Sequence, residues 1–298
     1  MEKIKKAFPS EATAIVYACT VGYVPIMNVS IRSLIDHCSD VGSYDIVVLS
    51  ADVDEFDRVA TRSLAYGKTN VSIRFFDPSK LLEGWMNENM TVEETLHLSR
   101  VLVPWIVDEH DKILLLGADT IMKTDVLKLC RESIPDKKML LAAVKKGGLD
   151  IDIMLMDARS IRSKLDRNDM ICQMRKNVYH ACEKIYKNLS YPLDKGWNIQ
   201  PSDVEDVEQI DTICAKANII HYKGMSKPWM MPMMMMAEDW WAVARRTEYY
   251  EEILRRMSRI EPDNRSGLRV LIDEILPKGT RRRAVVKRIV KPFSGKGR

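Results

Sequence analysis

The chain has 298 residues, 46% of them hydrophobic and 30% charged, which is ordinary for a soluble globular protein and suits one large α/β domain or a domain with an appendage. Its net charge of +4 is uneven: Lys278 to Arg298 carries nine Lys or Arg and no acid, so the body is acidic and the tail basic. No apolar run approaches the roughly 20 residues of a membrane span, and six scattered cysteines without a C-x-x-C pair argue for reduced thiols rather than a zinc cage, so a cytoplasmic protein is expected.

Ala12 to Cys19 is a short β-branched and apolar run. Behind it Met27, Ile31, Leu34, Ile35 and Cys38 recur at helical spacing, giving a strand, a turn and a helix. Tyr44 to Ser50 predicts a second buried strand, Asp54 to Tyr66 a polar-faced helix, and Val71 to Phe76 a third strand. This alternation favours a mostly parallel sheet flanked by helices. Thr91 and Glu94 have capping-box spacing, so a helix carrying Arg100 is expected to start there and to bend or end near Pro104.

Ile113 to Leu116 form a continuous apolar run too short for an ordinary helix, which is how a strand covered on both faces reads. It delivers Asp119 to the carboxyl end of that strand, where open α/β sheets place their ligands; the alternative is that Asp119 and Thr120 simply cap the turn. A helix near Val126 to Arg131 and a strand at Met139 to Val144 follow. From Asp150 to Asp157 the pattern alternates, placing Asp150 and Asp152 on one polar face, which by itself reads first as a solvated strand edge. Ser160 to Asn188 is expected to be a long basic helical region, and Ile219 to His221 a brief strand. Trp229 to Trp241 is methionine-rich. With no His or Cys inside it to support copper(I), it reads as a flexible apolar lid or core filler.

In this order the chain resembles family 8 glycosyltransferases, sugar-nucleotide enzymes of the GT-A fold. The resemblance rests on Tyr17-Ala-Cys-Thr-Val-Gly-Tyr23, on Ser99 to Pro104, on Gly117-Ala-Asp119, and above all on His221-Tyr-Lys-Gly-Met-Ser-Lys-Pro-Trp229, which looks like the family's His, aromatic, Gly and Lys-Pro-Trp box. Trp197-Asn-Ile-Gln200, Trp240-Trp241 and the helix through Tyr250 and Leu254 look like the family's later segments. It implies a Rossmann-like domain over residues 1–255 and leaves 256–298 as a basic amphipathic extension.

The resemblance also implies retaining transfer of a hexose from UDP-glucose or UDP-galactose to a cell-surface glycan or glycolipid, with Mn2+ or Mg2+ neutralising the departing diphosphate. Asp119 and His221 would then be metal ligands, Gly224 would let backbone approach the phosphates, Lys227 would bring charge to the diphosphate, Arg100 would orient donor sugar or phosphate, and Tyr23 would stack on the base. Arg100 and Tyr23 read equally well as a helix-face charge and a half-buried strand-end aromatic.

The departures fall on polar positions. Gly117 stands where the first acid of the family's Asp-x-Asp belongs, so metal binding is expected to be weak without donor. Thr20-Val-Gly22 replaces the acid-acid-Asn run, the Asn-Ala-Gly sugar-site segment is Asp150-Ile-Asp152, and no Asp-Gln-Asp box stands between Asp157 and Tyr191. Asp150 and Asp152 are accordingly candidate catalytic residues that restore negative charge. The alternative function is an impaired GT-A pseudoenzyme that binds a partner or glycan.

In the tail, Val285, Val286, Ile289 and Val290 alternate with Arg281-Arg-Arg283, Lys287-Arg288 and Lys291. This suits an anionic membrane surface on the inner face of the membrane; a frayed, solvated tail is the alternative. No groove-reading motif accompanies the charge, so nucleic acid is not expected.

Overall fold

The computed structural model describes residues 4–9, 13–86, 89–145, 148–174, 184–204 and 210–259. Nine strands appear among them: β1 (Ala14–Ala18), β2 (Tyr44–Leu49), β3 (Val71–Phe76), β4 (Lys112–Leu116), β5 (Thr120–Met122), β6 (Leu140–Lys145), β7 (Gly148–Asp157), β8 (Ser190–Pro192) and β9 (Ile219–His221). Seven form one sheet in the order β3-β2-β1-β4-β7-β6-β8, and β5 pairs with β9 in a small second sheet. β1 runs parallel to β2 and β4, and β2 to β3, whereas β7 is antiparallel to both β4 and β6. The expected mostly parallel sheet is therefore present, and its chain order reverses at β1.

The apolar runs are continuous because both faces of the sheet are covered. On one face Val16, Ile113 and Leu115 pack with Leu98, Val101 and Leu102 of helix α4 (Val92–Ile106). On the other Ile15, Tyr17, Leu114 and Leu116 pack with Met27, Ile31 and Leu34 of α1 (Val24–Asp36), which follows a short 3-10 turn at Val21–Tyr23. Each such fully buried aliphatic side chain contributes about 1.5–3 kcal/mol of hydrophobic free energy. The centre of the sheet is thus a rigid platform.

Helix α2 spans Glu55–Ser63, shorter than the pattern predicts, and α3 spans Ser79–Met86. α4 begins with the expected capping box, in which Thr91 Oγ1 accepts from the Glu94 amide and the Glu94 carboxylate accepts from the Thr91 amide. It passes Pro104 and ends at Ile106, where Arg162 donates to the Pro104 carbonyl at 2.8 Å and satisfies one group that the helix end leaves open. α5 (Leu127–Cys130) is a single turn.

The basic helical region expected over 160–188 holds two described helices, α6 (Ala158–Lys164) and α7 (Arg167–Met174), and residues 184–186 are helical as well; 175–183 lie outside the described residues. Asp166 breaks the pattern by accepting from the amides of Asn168 and Asp169, a local bond that competes with helix continuation. α8 (Ile210–Lys216), α9 (Ala237–Ala244) and α10 (Tyr250–Arg259) complete the described helices. The methionine stretch is a series of turns leading into α9. Met233 stands in solvent, while Met236, in the left-handed region at φ 62°, is buried beside Trp240. The basic tail at 278–298 lies outside the described residues. No described helix is long and apolar enough to cross a membrane.

Candidate functional site

Where strand order reverses, the loops leaving β1 and β4 diverge and open a crevice. Here it is a cleft of about 430 Å³ at the carboxyl ends of those strands, lined by Thr20, Tyr23, His97, Arg100, Asp119 and Asp152 among others. Asp119 reaches it from the turn after β4. The small β5–β9 sheet then brings His221 alongside, because Thr120 and His221 are ladder partners and the Tyr222 amide donates to the Asp119 carbonyl at 2.9 Å.

His221 is fully buried, and its ring is pinned. Nδ1 lies 3.0 Å from Asn198 Oδ1, while Asn198 Nδ2 donates to Asp150 Oδ2 at 3.0 Å. A carboxylate can only accept, so the amide of Asn198 is fixed with its oxygen toward His221, and Nδ1 must be the protonated nitrogen. Nε2 is then left buried without a hydrogen-bond partner. It faces Asp119 Oδ1 at 3.4 Å and Asp152 Oδ2 at 3.9 Å, ion-pair separations that make no hydrogen bond.

The surrounding charges set the protonation of these groups. Burial alone would depress the imidazole, but Asp119 and Asp150 outweigh it and lift His221 to about 9. In the reciprocal direction, burial would raise Asp119, yet His221 and Lys227 hold it far below the usual carboxylate range. Asp150 is likewise held far below that range against its burial, by His221 and Lys223.

Three cations close the cluster. Lys227 donates to Asp119 and, at 2.5 Å, to the Tyr222 carbonyl, and lies over the Trp229 ring. Lys223 sits 2.7 Å from Asp150 Oδ1 and 3.5 Å from Asp152 Oδ2. Arg100, brought in by α4, pairs with Asp152 Oδ1 at 2.8 Å and reaches the Ala18 carbonyl at 3.3 Å.

Asp119, Asp150, Asp152, His221, Lys227 and Arg100, far apart in sequence, therefore meet in one cluster. Asp150 and Asp152 are not a solvated edge: β7 lies inside the sheet, and Asp150 is 1% exposed. Tyr23 lies at the cleft rim, 44% exposed and edge-on to Trp229. Gly224 adopts φ 85°, a backbone conformation that explains a glycine there. Sequence reasoning missed Lys223, which occupies a slot where the motif fixes no residue type. It also gave no role to Asn198 and Gln200, although Trp197-Asn-Ile-Gln200 was a recognisable segment; Gln200 Nε2 donates to Asp150 Oδ2 at 3.1 Å. Asp52 was missed as well, and its carboxylate accepts from the Val21 amide at 2.9 Å, holding the turn that replaces the acid-acid-Asn run.

The sequence model of glycosyl transferase family 8 matches residues 14–182 and 163–231, which includes every residue of this cluster. The chain belongs to that family. No curated protein matches it. Among solved structures, apo WbbM, a bifunctional glycosyltransferase, superposes with a TM-score of 0.69 at 17% identity over 86% of this chain and 53% of that one, so this chain spans about half of WbbM. The galactosyltransferase LgtC, in complex with donor and acceptor sugar analogs, gives 0.61 at 16% identity over 81% of this chain and 100% of that one. GlyE of Streptococcus pneumoniae TIGR4 gives 0.60 at 18% identity over 82% and 63%. The shared fold is GT-A.

Family 8 enzymes of this fold usually use a divalent metal, so the donor set can be tested against one. No group of three or more His, Cys, Asp or Glu among the described residues is arranged to hold a metal as it stands, since Lys223 and Lys227 draw on the same carboxylates. The chemistry of the set nevertheless fits. A buried imidazole nitrogen with no hydrogen-bond partner lies 3.4 and 3.9 Å from oxygens of two carboxylates, a nitrogen-and-oxygen donor set of the kind that takes a divalent cation.

Proposed function

We propose that this family 8 glycosyltransferase transfers a hexose, with retention, from UDP-glucose or UDP-galactose to a cell-surface glycan or glycolipid. The observation that carries this reading is the convergence of Asp119, His221, Lys227 and Arg100 beside one cleft at the sheet's carboxyl edge. Asp119 and His221 would hold the divalent cation, Mn2+ or Mg2+, which supplies Lewis-acid neutralisation of the diphosphate when bound.

The chain's own residues do the rest. Lys227, on a flexible stem and already at the site, exchanges Asp119 for a phosphate oxygen. Arg100, anchored by Asp152 and the Ala18 carbonyl, presents its guanidinium to donor sugar or phosphate. Tyr23 at the rim offers its ring to the base. In the transfer step the anomeric carbon–oxygen bond to the diphosphate breaks, the acceptor oxygen bonds to that carbon on the same face, and the acceptor proton passes to the departing phosphate. Positioning and charge therefore dominate, and Asp150 and Asp152 act by shaping the field around the sugar.

A second reading, an impaired enzyme that binds a partner or glycan, draws on the internal pairing of Asp119, Asp150 and Asp152 with lysine or arginine. Calorimetric titration with UDP, UDP-glucose and UDP-galactose, with and without Mn2+, separates the two. Donor binding at micromolar to submillimolar affinity with turnover to a retained anomer supports the transferase, and absence of binding to all three nucleotides overturns it.

Residues 278–298 are proposed to bind an anionic membrane surface. Full-length protein is expected to float with anionic vesicles and a truncation after Leu276 to stay soluble; if both stay soluble, the anchor is wrong.

A further inference from the structure

Gly117 is the position where the family's first metal-binding acid is missing, and the fold shows what stands beside it. The β4–β7 register, with Leu116 opposite Ile153, places Gly117 opposite Asp152 on the next rung. A Cβ built on Gly117 would lie 3.2 Å from the Asp152 Cβ and 2.9 Å from Asp119 Oδ1. Directly opposed Cβ atoms normally stand about 4.5–5.5 Å apart, so Asp152 leans into the space that a side chain at 117 would need. A side chain at 117 therefore presses on the Asp152 Cβ and on the Asp119 carboxylate, which would have to shift to admit it.

We infer that Asp152 supplies the carboxylate that Gly117 lacks, so that the cation seat of this chain is Asp119, Asp152 and His221, with one ligand moved across the β4–β7 ladder. The inference rests on the transferase reading above and names a residue outside the family's usual ligand set. The second observation beside the acids is His221 Nε2, fully buried, without a hydrogen-bond partner, and aimed at Asp119 Oδ1 and Asp152 Oδ2. Neighbouring ligands of an octahedral cation held at about 2.1 Å lie roughly 3 Å apart, so the observed 3.4 and 3.9 Å require closure of less than about 1 Å. Asp152 can swing in while Arg100 keeps its hold on Oδ1, because the cation-facing atom is Oδ2. Lys223, 3.5 Å from that same Oδ2, is the group a cation has to displace.

The test uses the full chain and Mn2+ followed by electron paramagnetic resonance, in which bound ion loses the free-ion signal, with and without UDP. Wild type is expected to bind one Mn2+, more tightly with UDP. Asp152→Asn, which keeps an oxygen for Arg100, is expected to lose at least tenfold in Mn2+ affinity, and Gly117→Asp alone is expected not to strengthen binding because of the clash. The exchanged pair Gly117→Asp with Asp152→Gly should restore affinity to within a few fold of wild type. Wild-type Mn2+ affinity in Asp152→Asn overturns the inference, as does an exchanged pair that folds, by circular dichroism, but binds no Mn2+. If UDP binds and wild type takes up no Mn2+ under either condition, the relocated ligand is wrong while the transferase reading stands. If calorimetry also detects no nucleotide, the transferase reading itself fails.

Discussion

Two buried carboxylate–histidine pairs sit at opposite ends of the same sheet and are built differently. At the amino end of β2, Asp45 is fully buried and accepts from His110 Nε2 at 2.9 Å, the Ala7 amide at 2.9 Å and, through both its oxygens, from Arg74 Nη2 at 2.7 Å. Its donors bond it with ordinary geometry, and Asp45 is the carboxylate that pairs with His110 among the described residues. At the carboxyl end, His221 stands among three carboxylates, and its Nε2 bonds to none of them. The first pair satisfies its carboxylate through direct hydrogen bonds, although His110 Nδ1, like His221 Nε2, is buried without a hydrogen-bond partner. The second holds an imidazole slightly apart from its carboxylates, which pair with lysines instead.

The comparison breaks most forcefully at Asp45. Asp45→Ala leaves Arg74 and His110 without their acceptor and is expected to cost about 3–5 kcal/mol, read as a large fall in melting temperature. If the comparison is right, the same variant, at a temperature where it remains folded, binds UDP like wild type; nucleotide affinity that collapses along with stability would join the two networks.

Asn198→Ala at the other end tests positioning. It removes the acceptor that fixes the His221 tautomer, and loss of such a supporting partner typically costs about 10–100-fold in metal affinity. Mn2+ affinity should fall on that scale while the melting temperature moves much less than in Asp45→Ala. Unchanged affinity would mean that β9 alone orients the ring.

The stability of the fold is expected to depend on pH through His221. His221 has its pKa raised to about 9 when folded and returns to about 6.5 when unfolded. A raised folded value means that its contribution to stability is fully present below about 6.5 and is lost as pH rises through 9. Melts of wild type and His221→Gln without divalent metal should differ most below that window and converge above it. A difference independent of pH would show that the proton is not held where the geometry places it.

The smallest effect is expected at the rim. Arg256 of α10 donates to the Gly22 carbonyl at 2.6 Å and pairs with Glu252 on an exposed surface. Arg256→Ala should cost under about 1 kcal/mol of stability and act mainly by loosening the Val21–Tyr23 turn, so its readout is a modest rise in UDP Kd.

Much of the framework was legible before any coordinates, because it is written in local patterns. β3 occupies the residues its apolar run predicts, β4 begins and ends as its continuous leucines suggest, and the Thr91–Glu94 box caps α4. Breaks inside a helical region were harder to place: Asp166 accepts from its own following amides and separates α6 from α7. Asp119, His221 and Lys227, which the structure brings together, could be named from the sequence because recognisable segments carry them. Lys223, Asn198 and Gln200 could not, because a pairing role has no signature at a position where several residue types would fold equally well.

The sequence by itself determined which residues line the sheet and where its strands end, and its resemblance to family 8 marked Gly117 as standing where an acid was expected. Burial periodicity and motif spacing are properties of neighbouring residues, so a string of letters carries them. Only the tertiary structure decided that β7 runs antiparallel inside the sheet rather than along a solvated edge. That placement converts Asp152 from a surface acid into the residue opposite Gly117. Cross-strand register is a relation between segments distant in the chain, fixed by packing and backbone hydrogen bonds.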